Sequence, residues 1–488
     1  MDKITAWLKK NWILVLILVV GATLRLYKID QFMTFLGDEG RDAIIVRRLL
    51  VNLDLILIGP GTSIGNMYLG PLYYYMMAPA LLFANFSPVG PAAMIAGLGV
   101  VTIWFVWWAG REWFSTRAGL TAAALYAISP TVIIYSRSSW NPNIMPFFAL
   151  LSIYSIYRVW KFKQFKWLLV LAVSYAFVLQ SHYLGLLLAP ALFLFWLLKR
   201  PPIRYTIYAS VIFLTLMSPL AIFDARHGWR NFSAMKTFFT ARQETVSARP
   251  WNAAPKLYPQ FEEINWSLIA AKDETAGKVT SMFLLAATVF LLFKKKKDIF
   301  ATPYFLLLSW LGIALLGFGL YKQHIYDHYF GFIFAAPFLL LGAIVSELSK
   351  IKKLSILLFI GLSVLVFINL RNLPLKYPNQ QLKRSMEVAE KIAEESGEVP
   401  FNIAVVAERN YEDGYQYFLE KDNEKVIEID AQRPETVTAQ LFVICEMPPE
   451  KCDPTHSSKA EVANFGWSKI ENQWEVMGVT IYKLAHTQ

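Results

Sequence analysis

Apolar runs separated by short polar loops repeat along most of the chain. They fall near residues 12–27, 71–86, 92–109, 118–136, 141–160, 166–181, 183–198, 203–223, 279–293, 300–320, 329–348 and 353–372. Many approach the roughly 20 residues that a helix needs to cross a bilayer, so the pattern predicts a polytopic α-helical membrane protein. Beyond residue 372 the pattern turns polar. A helical period over 380–396 places Val388 and Ile392 on one face, and 411–419 is a second candidate helix. Apolar, β-branched stretches at 401–407, 441–445 and 474–484 predict strands. The chain therefore divides into a membrane-embedded domain over 1–372 and a small α/β domain over 373–488.

The loops set the orientation. Basic residues mark Lys9 and Lys10, Arg111 with Arg117, the stretch 158–166, Lys199 with Arg200, the lysines at 294–297 and the stretch 350–353. Positive charge is retained on the cytoplasmic side, which puts these loops inside. The loops at 137–143, 181–183, 224–278 and 321–328 and the tail after 372 are then outside. The count closes only if one early run does not cross. Residues 71–86 are the candidate: the run is short, starts at Pro71, contains Pro79 and is rich in interfacial tyrosine. It is expected as a re-entrant or juxtamembrane helix, with about 11–13 spans in all and a tight hairpin at 180–183.

Composition sharpens this picture. Of 488 residues, 56% are hydrophobic and only 17% charged, too apolar for an ordinary soluble protein. The net charge of +11 comes from lysines and arginines in loops between spans, which argues against a nucleic-acid partner. The run from Trp12 lacks a small-residue cleavage site and continues into Arg25-Leu-Tyr-Lys28, so it is expected as a retained span. Cys445 and Cys452 lie in the tail; a disulfide and two free thiols are both open.

The candidate chemistry gathers on the outer side. Phe35-Leu-Gly-Asp-Glu-Gly-Arg-Asp42 holds Asp38, Glu39, Arg41 and Asp42 just after the first span. Its glycines allow a sharp bend or a close approach to a ligand. Also outside are Arg137, Asn141 and Asn143, His182 and Tyr183, Asp224 with Arg226 and His227, and His324, Asp327 and His328. Arginines and histidines at span ends suit an anionic headgroup such as a phosphate, and a nearby carboxylate suits proton abstraction from a hydroxyl. The plainer alternatives are helix capping for the acids and snorkelling for the arginines. His324 and His328 stand four apart and could share a metal if helical, but a third ligand is not evident. The inner-side acids Asp2, Glu112, Asp298 and Glu347 read as solvated charge.

Three stretches carry a resemblance: Gly-Asp-Glu at 37–39, Gly-Pro-Leu-Tyr-Tyr-Tyr at 70–75, and His-Tyr-Phe followed by Ala-Pro-Phe-Leu-Leu-Leu-Gly within 328–342. Over roughly residues 1–372 the chain resembles the GT-C membrane glycosyltransferases. Within them it is similar to the protein mannosyltransferase and lipid A aminoarabinose transferase group, including transferases of lipopolysaccharide-core sugars. The resemblance implies inverting transfer of a sugar from a polyprenyl-phosphate donor to a glycan, lipid or protein acceptor at the outer face of the cell membrane. It implies Asp38 as catalytic base with Glu39 as its partner. Donor-phosphate binding is then expected of Arg137, His182, Arg226, His227 and His324. Acceptor contact or positioning is expected of Arg41, Asn141, Tyr183, Asp327 and His328. Two departures stand out: amides at Asn141 and Asn143 where relatives often carry acid, and no lysine ahead of the Pro71 helix. A divalent cation stays open, and no other cofactor is implied. The rival from another class is a transporter or flippase of lipid-linked sugars, which should place charges near the bilayer midplane rather than at span ends.

Overall fold

The computed structural model describes residues 2–62, 65, 67–240, 245–247, 249–294 and 299–487. The chain is mostly helical. Among the described residues, five helices are long and apolar enough to cross a membrane: Val89–Trp113, Ile203–Arg226, Glu274–Lys294, Pro303–Leu320 and Lys352–Arg371. Asp327–Ile333 and Ala335–Leu348 make a sixth candidate, bent by 58°. Shorter apolar helices, including Trp12–Leu26 and Trp167–Ser181, complete the bundle.

The run at 118–136 is broken rather than continuous. Thr116–Ile128 ends at Ser129, and Pro130–Tyr135 starts anew, because Pro130 has no N–H to continue the ladder. The Pro71 run forms a helix of only 12 residues, Leu72–Phe83, with Tyr73 and Tyr74 buried. The turn at 180–183 is present, between Trp167–Ser181 and a short 3₁₀ stretch, Tyr183–Leu188. On the expected inner side Glu112 is more than solvated charge. It pairs with Arg158 at 2.7 Å, and Arg158 lies over the Tyr154, Phe162 and Trp167 rings. The lysines at 295–297 and Asp298 lie outside the described residues.

The tail forms a four-stranded sheet with strands β1 (Asn402–Val406), β2 (Gln440–Cys445), β3 (Ser468–Val476) and β4 (Val479–His486), in the order β1-β2-β4-β3. β1 and β2 are parallel; the other pairs are antiparallel. The single strand expected at 474–484 is instead part of a hairpin. Met477 and Gly478 both adopt positive φ, 48° and 77°, as a tight two-residue hairpin turn requires. Cys445 and Cys452 form a disulfide, with Cα atoms 6.2 Å apart.

The sheet does not keep its core to itself. Helices Gln381–Ser396 and Asp413–Lys421 pack on each other over one face, and Asp413–Lys421 lies against Gly37–Asn52, the helix that carries the acidic stretch. One buried cluster runs from Phe35, Ile44 and Tyr74 through Tyr417 and Phe418 to Phe442 and Ile481. Phe35 meets the Tyr417 ring edge-on at 6.0 Å and the Phe418 ring at 5.6 Å. Arg48 adds ion pairs to Glu420 and Glu428 at 2.6 and 2.9 Å.

Candidate active site

Glycine spacing explains how the acidic stretch is held. A Cβ on Gly37 would lie 2.3 Å from the Tyr411 ring, and one on Gly40 would lie 2.4 Å from the Asp413 carbonyl. The bend and ligand approach anticipated for these glycines is therefore a different close approach, that of the C-terminal sheet domain. Asp38 and Glu39 occupy the first turn of Gly37–Asn52. Asn410 Oδ1 accepts the Gly37 N–H at 2.9 Å.

The four charged groups of this helix have separate roles. Asp38 is half-exposed, and its Oδ1 accepts from Arg41 at 2.8 Å and from the Tyr411 hydroxyl. Its Oδ2 accepts no hydrogen bond from the described residues. Glu39 is buried and reaches back to the Leu36 N–H at 3.1 Å. Burial, with Asp38 and Asp42 nearby, pushes its carboxyl up to about 8. Asp42 is fully buried, and its Oδ1 accepts from Arg41 and Tyr74. Burial pushes it up to about 6 despite Arg41. Arg41 thus spans two carboxylates, and its charge is largely spent on them.

The three consecutive tyrosines at 73–75 each pin a different part of this region. Tyr73 bonds Ser139 at 2.6 Å, Tyr74 donates to Asp42 at 3.0 Å, and Tyr75 donates to the Ile56 carbonyl at 2.8 Å. Gln180, buried at the turn, accepts the Leu72 N–H and donates to the Leu216 carbonyl, fixing the start of that helix.

Asp38 opens onto two chambers that share it and Trp140. The first, about 240 Å³, is lined by Arg41, Asn141, His182, Tyr183, His328 and Tyr329 and roofed by Pro60, Gly61 and Thr62. His182 Nδ1 accepts the Leu184 N–H at 3.2 Å, which places the proton of the neutral ring on Nε2. Burial, with His328 nearby, pulls its imidazolium down to about 3. His328 packs 4.7 Å from the Trp140 ring, and His182 stacks on Tyr183 at 4.4 Å. Asn141 donates to the Ser181 carbonyl at 2.6 Å. The second chamber, about 270 Å³, lies toward the sheet domain and is lined by Thr34, Glu39, Tyr135, Ser138, Asn143, Arg409 and Tyr411.

Of the residues expected at the site, Asp38, Arg41, Asn141, His182, Tyr183 and His328 meet in the first chamber, and Glu39 borders the second. Five others line neither. Arg137 is buried over the Phe32 ring and donates to the Pro374 carbonyl at 3.1 Å, tying the segment that leads to the sheet domain. Asp327 accepts from Ser267 and Lys272 at 2.8 and 2.7 Å. His227 stacks on Phe223, and His324 packs against Tyr326. Arg226 is exposed at the end of Ile203–Arg226, where Asp224 accepts the Asn231 and Phe232 N–H groups. His324 and His328 do not share a helix. The backbone at Tyr321 bridges to Val246, and the 3₁₀ turn begins only at Asp327. Among the described residues no three His, Cys, Asp or Glu side chains are grouped to hold a metal ion. Glu39 reaches back to the Leu36 N–H, whereas Asp42 Oδ2 is buried without a partner among the described residues. Asn143, noted in the sequence among the outer polar residues, lines the second chamber; Trp140, Arg409 and Tyr411 were not expected, and the last two lie some 370 residues along the chain from Asp38, with no local pattern to mark them.

A helical membrane bundle with a small C-terminal sheet domain packed against it is the fold of the GT-C membrane glycosyltransferases. Residues 69–229 match the family described as dolichyl-phosphate-mannose-protein mannosyltransferase. Among solved structures, ArnT from Cupriavidus metallidurans bound to undecaprenyl phosphate is similar, with TM-score 0.61 at 12% identity, over 97% of this chain and 98% of that one. The Archaeoglobus fulgidus oligosaccharyltransferase in complex with Zn and sulfate has TM-score 0.57 at 13% identity, over 88% of this chain and 67% of that one. Its complex with an inhibitory peptide and a dolichol-phosphate, as AglB, has TM-score 0.52 at 14% identity, covering 90% and 70%. No curated protein sequence matches the chain significantly.

Proposed function

We propose that the chain is a glycosyltransferase that moves a sugar from a polyprenyl-phosphate donor to an acceptor hydroxyl at the outer face of the membrane. The observation that carries this reading is Asp38: a carboxylate at the junction of two chambers, with Oδ1 held by two donors and Oδ2 open. The match to a mannosyltransferase family and the GT-C fold support the donor class. The disulfide supports an outer location, since such bonds persist in oxidising compartments.

The donor's phosphate sits in the first chamber, where the neutral rings of His182 and His328 offer N–H groups and Arg41, held by Asp38 and Asp42, lines the wall. Asp38 Oδ2 takes the proton of the acceptor hydroxyl as its oxygen bonds to the anomeric carbon. The bond from that carbon to the phosphate oxygen breaks, polyprenyl phosphate leaves, and the anomeric configuration inverts. A transporter reading needs polar groups that line a path across the bilayer; the two chambers instead meet at one carboxylate. Purified protein in nanodiscs, given a labelled polyprenyl-phosphate sugar and envelope glycan, separates the two. Label in the acceptor is the expected result; label that crosses the bilayer still on its lipid overturns the proposal.

A further inference from the structure

Resting on that reading, we propose that the second chamber is the acceptor subsite and that it takes a hydroxyl-rich sugar residue carrying a negative charge. Its walls combine three features that together suit such a ligand. The first is an unmet hydrogen-bond acceptor. Asn143 is 8% exposed, donates its amide to the Ser138 carbonyl at 2.8 Å, and leaves Oδ1 buried without a partner. A buried amide oxygen left unpaired is unfavourable, and a ligand hydroxyl bonded to it relieves that.

The second feature is a lone cation. Arg409, at the sheet-domain rim, makes no hydrogen bond or ion pair with any described residue. Arg41, by contrast, is held by two carboxylates, and Arg137, which lines neither chamber, donates to the Pro374 carbonyl and leaves Nε and Nη1 buried without a partner among the described residues. Glu39, which borders the same chamber, is kept largely protonated at neutral pH by burial and so does not oppose an anion.

The third feature is the contact already in place. The Tyr411 hydroxyl donates to Asp38 Oδ1 from the wall of this chamber, so a hydroxyl approaching from the same side meets the carboxylate at its open Oδ2. Tyr135, Trp140 and Tyr411 supply ring faces against which a pyranose can pack. A volume of about 270 Å³ is at the small end of ligand sites, which suits one sugar residue rather than a long segment.

The test is direct binding of methyl β-D-glucuronide and methyl β-D-glucoside, which differ in a carboxylate, to full-length protein in nanodiscs by saturation-transfer NMR. The wild type is expected to bind the glucuronide at least fivefold more tightly. Arg409→Gln should abolish that preference without changing the glucoside, and Arg409→Lys should restore part of it. Asn143→Leu should weaken both sugars. Equal binding of the two sugars, an unchanged preference in Arg409→Gln, or no binding of either overturns the proposal. Because no donor is present, a positive result here with no transfer in the nanodisc assay would remove the transferase reading and leave the subsite.

Discussion

Replacing Asp38 by Asn isolates the proton-accepting role proposed for it. Asn keeps an Oδ1 that can accept from Arg41 and Tyr411, as Asp38 Oδ1 does. Leu36, not Asp38, is the N-cap, and the Asp38 carboxylate holds no backbone N–H of the described residues, so the first turn of Gly37–Asn52 should persist. What changes is Oδ2, which becomes an NH₂ group that cannot take a proton. The lost charge weakens the Arg41 pair, but that pair is partly solvated, with side chains 26% and 38% exposed, and contributes at most about 1 kcal/mol. Thermal stability should therefore shift little. A positioned base contributes about 10²–10⁴-fold, equivalent to about 3–5 kcal/mol of barrier. Transfer at saturating donor should fall by at least about two orders of magnitude, while retention of the lipid donor is unchanged. The assay is single-turnover transfer from a labelled polyprenyl-phosphate sugar, with folding checked by thermal melting. Transfer within a few-fold of wild type would reduce Asp38 to a structural partner of Arg41 and Tyr411 and refute the reasoning.

Three further outcomes follow from the same geometry. The unfolded chain releases the Glu39 proton near pH 4.5 and the folded chain near 8, so the folded state holds the extra proton and loses stability as pH rises through that window. Glu39→Gln should leave transfer mildly affected and raise the melting temperature at pH 9 relative to wild type, with little difference at pH 5; a melt difference that does not grow with pH counts against it. Gly40→Ala would press a methyl to 2.4 Å from the Asp413 backbone, which cannot rotate away, and should cost about 1–3 kcal/mol and displace the sheet domain, whereas Gly97→Ala meets open space and should not. Limited proteolysis of the segment between residues 372 and 381 reads the displacement. Arg226→Ala should leave the donor KM within about twofold of wild type, because this exposed guanidinium lines neither chamber; a KM raised well beyond that would put the phosphate outside the first chamber.

The sequence made the bundle legible because membrane burial writes long apolar runs, and the acidic helix after the first run legible because charge is rare in such a chain. Boundaries within runs were less so. Ser129 interrupts one apolar stretch through a single proline that follows it, and Met477-Gly478 makes a hairpin turn without the Asn-Gly or Asp-Gly pair that would announce one. His324 and His328 looked like a helical pair because spacing alone was visible; the bridge of Tyr321 to Val246 that leads the chain into the turn at Asp327 was not. Arg137 looked like a phosphate ligand because it lies at a span end, but its position over Phe32 and beneath Pro374 depends on where the tail returns.

The tail was the least legible part, and it bears most on how the site is built. Read alone, residues after 372 make a small polar domain whose role has no local sign. The reason they matter lies in the other partner of each contact. Gly37 and Gly40 have no side chain because Tyr411 and the Asp413 backbone occupy that space, and Asn410 holds the Gly37 N–H. A glycine pair flanking two acids has at least two physical explanations, a loop that bends around a ligand or a helix on which another element lies flat. Only the tertiary packing separates them, and here it selects the second. The carboxylate of Asp38 is consequently oriented by groups from both ends of the chain, Arg41 from its own helix and Tyr411 from the sheet domain. Its orientation therefore depends on the docking of a domain whose core is continuous with that helix through Phe35, Tyr417 and Phe418.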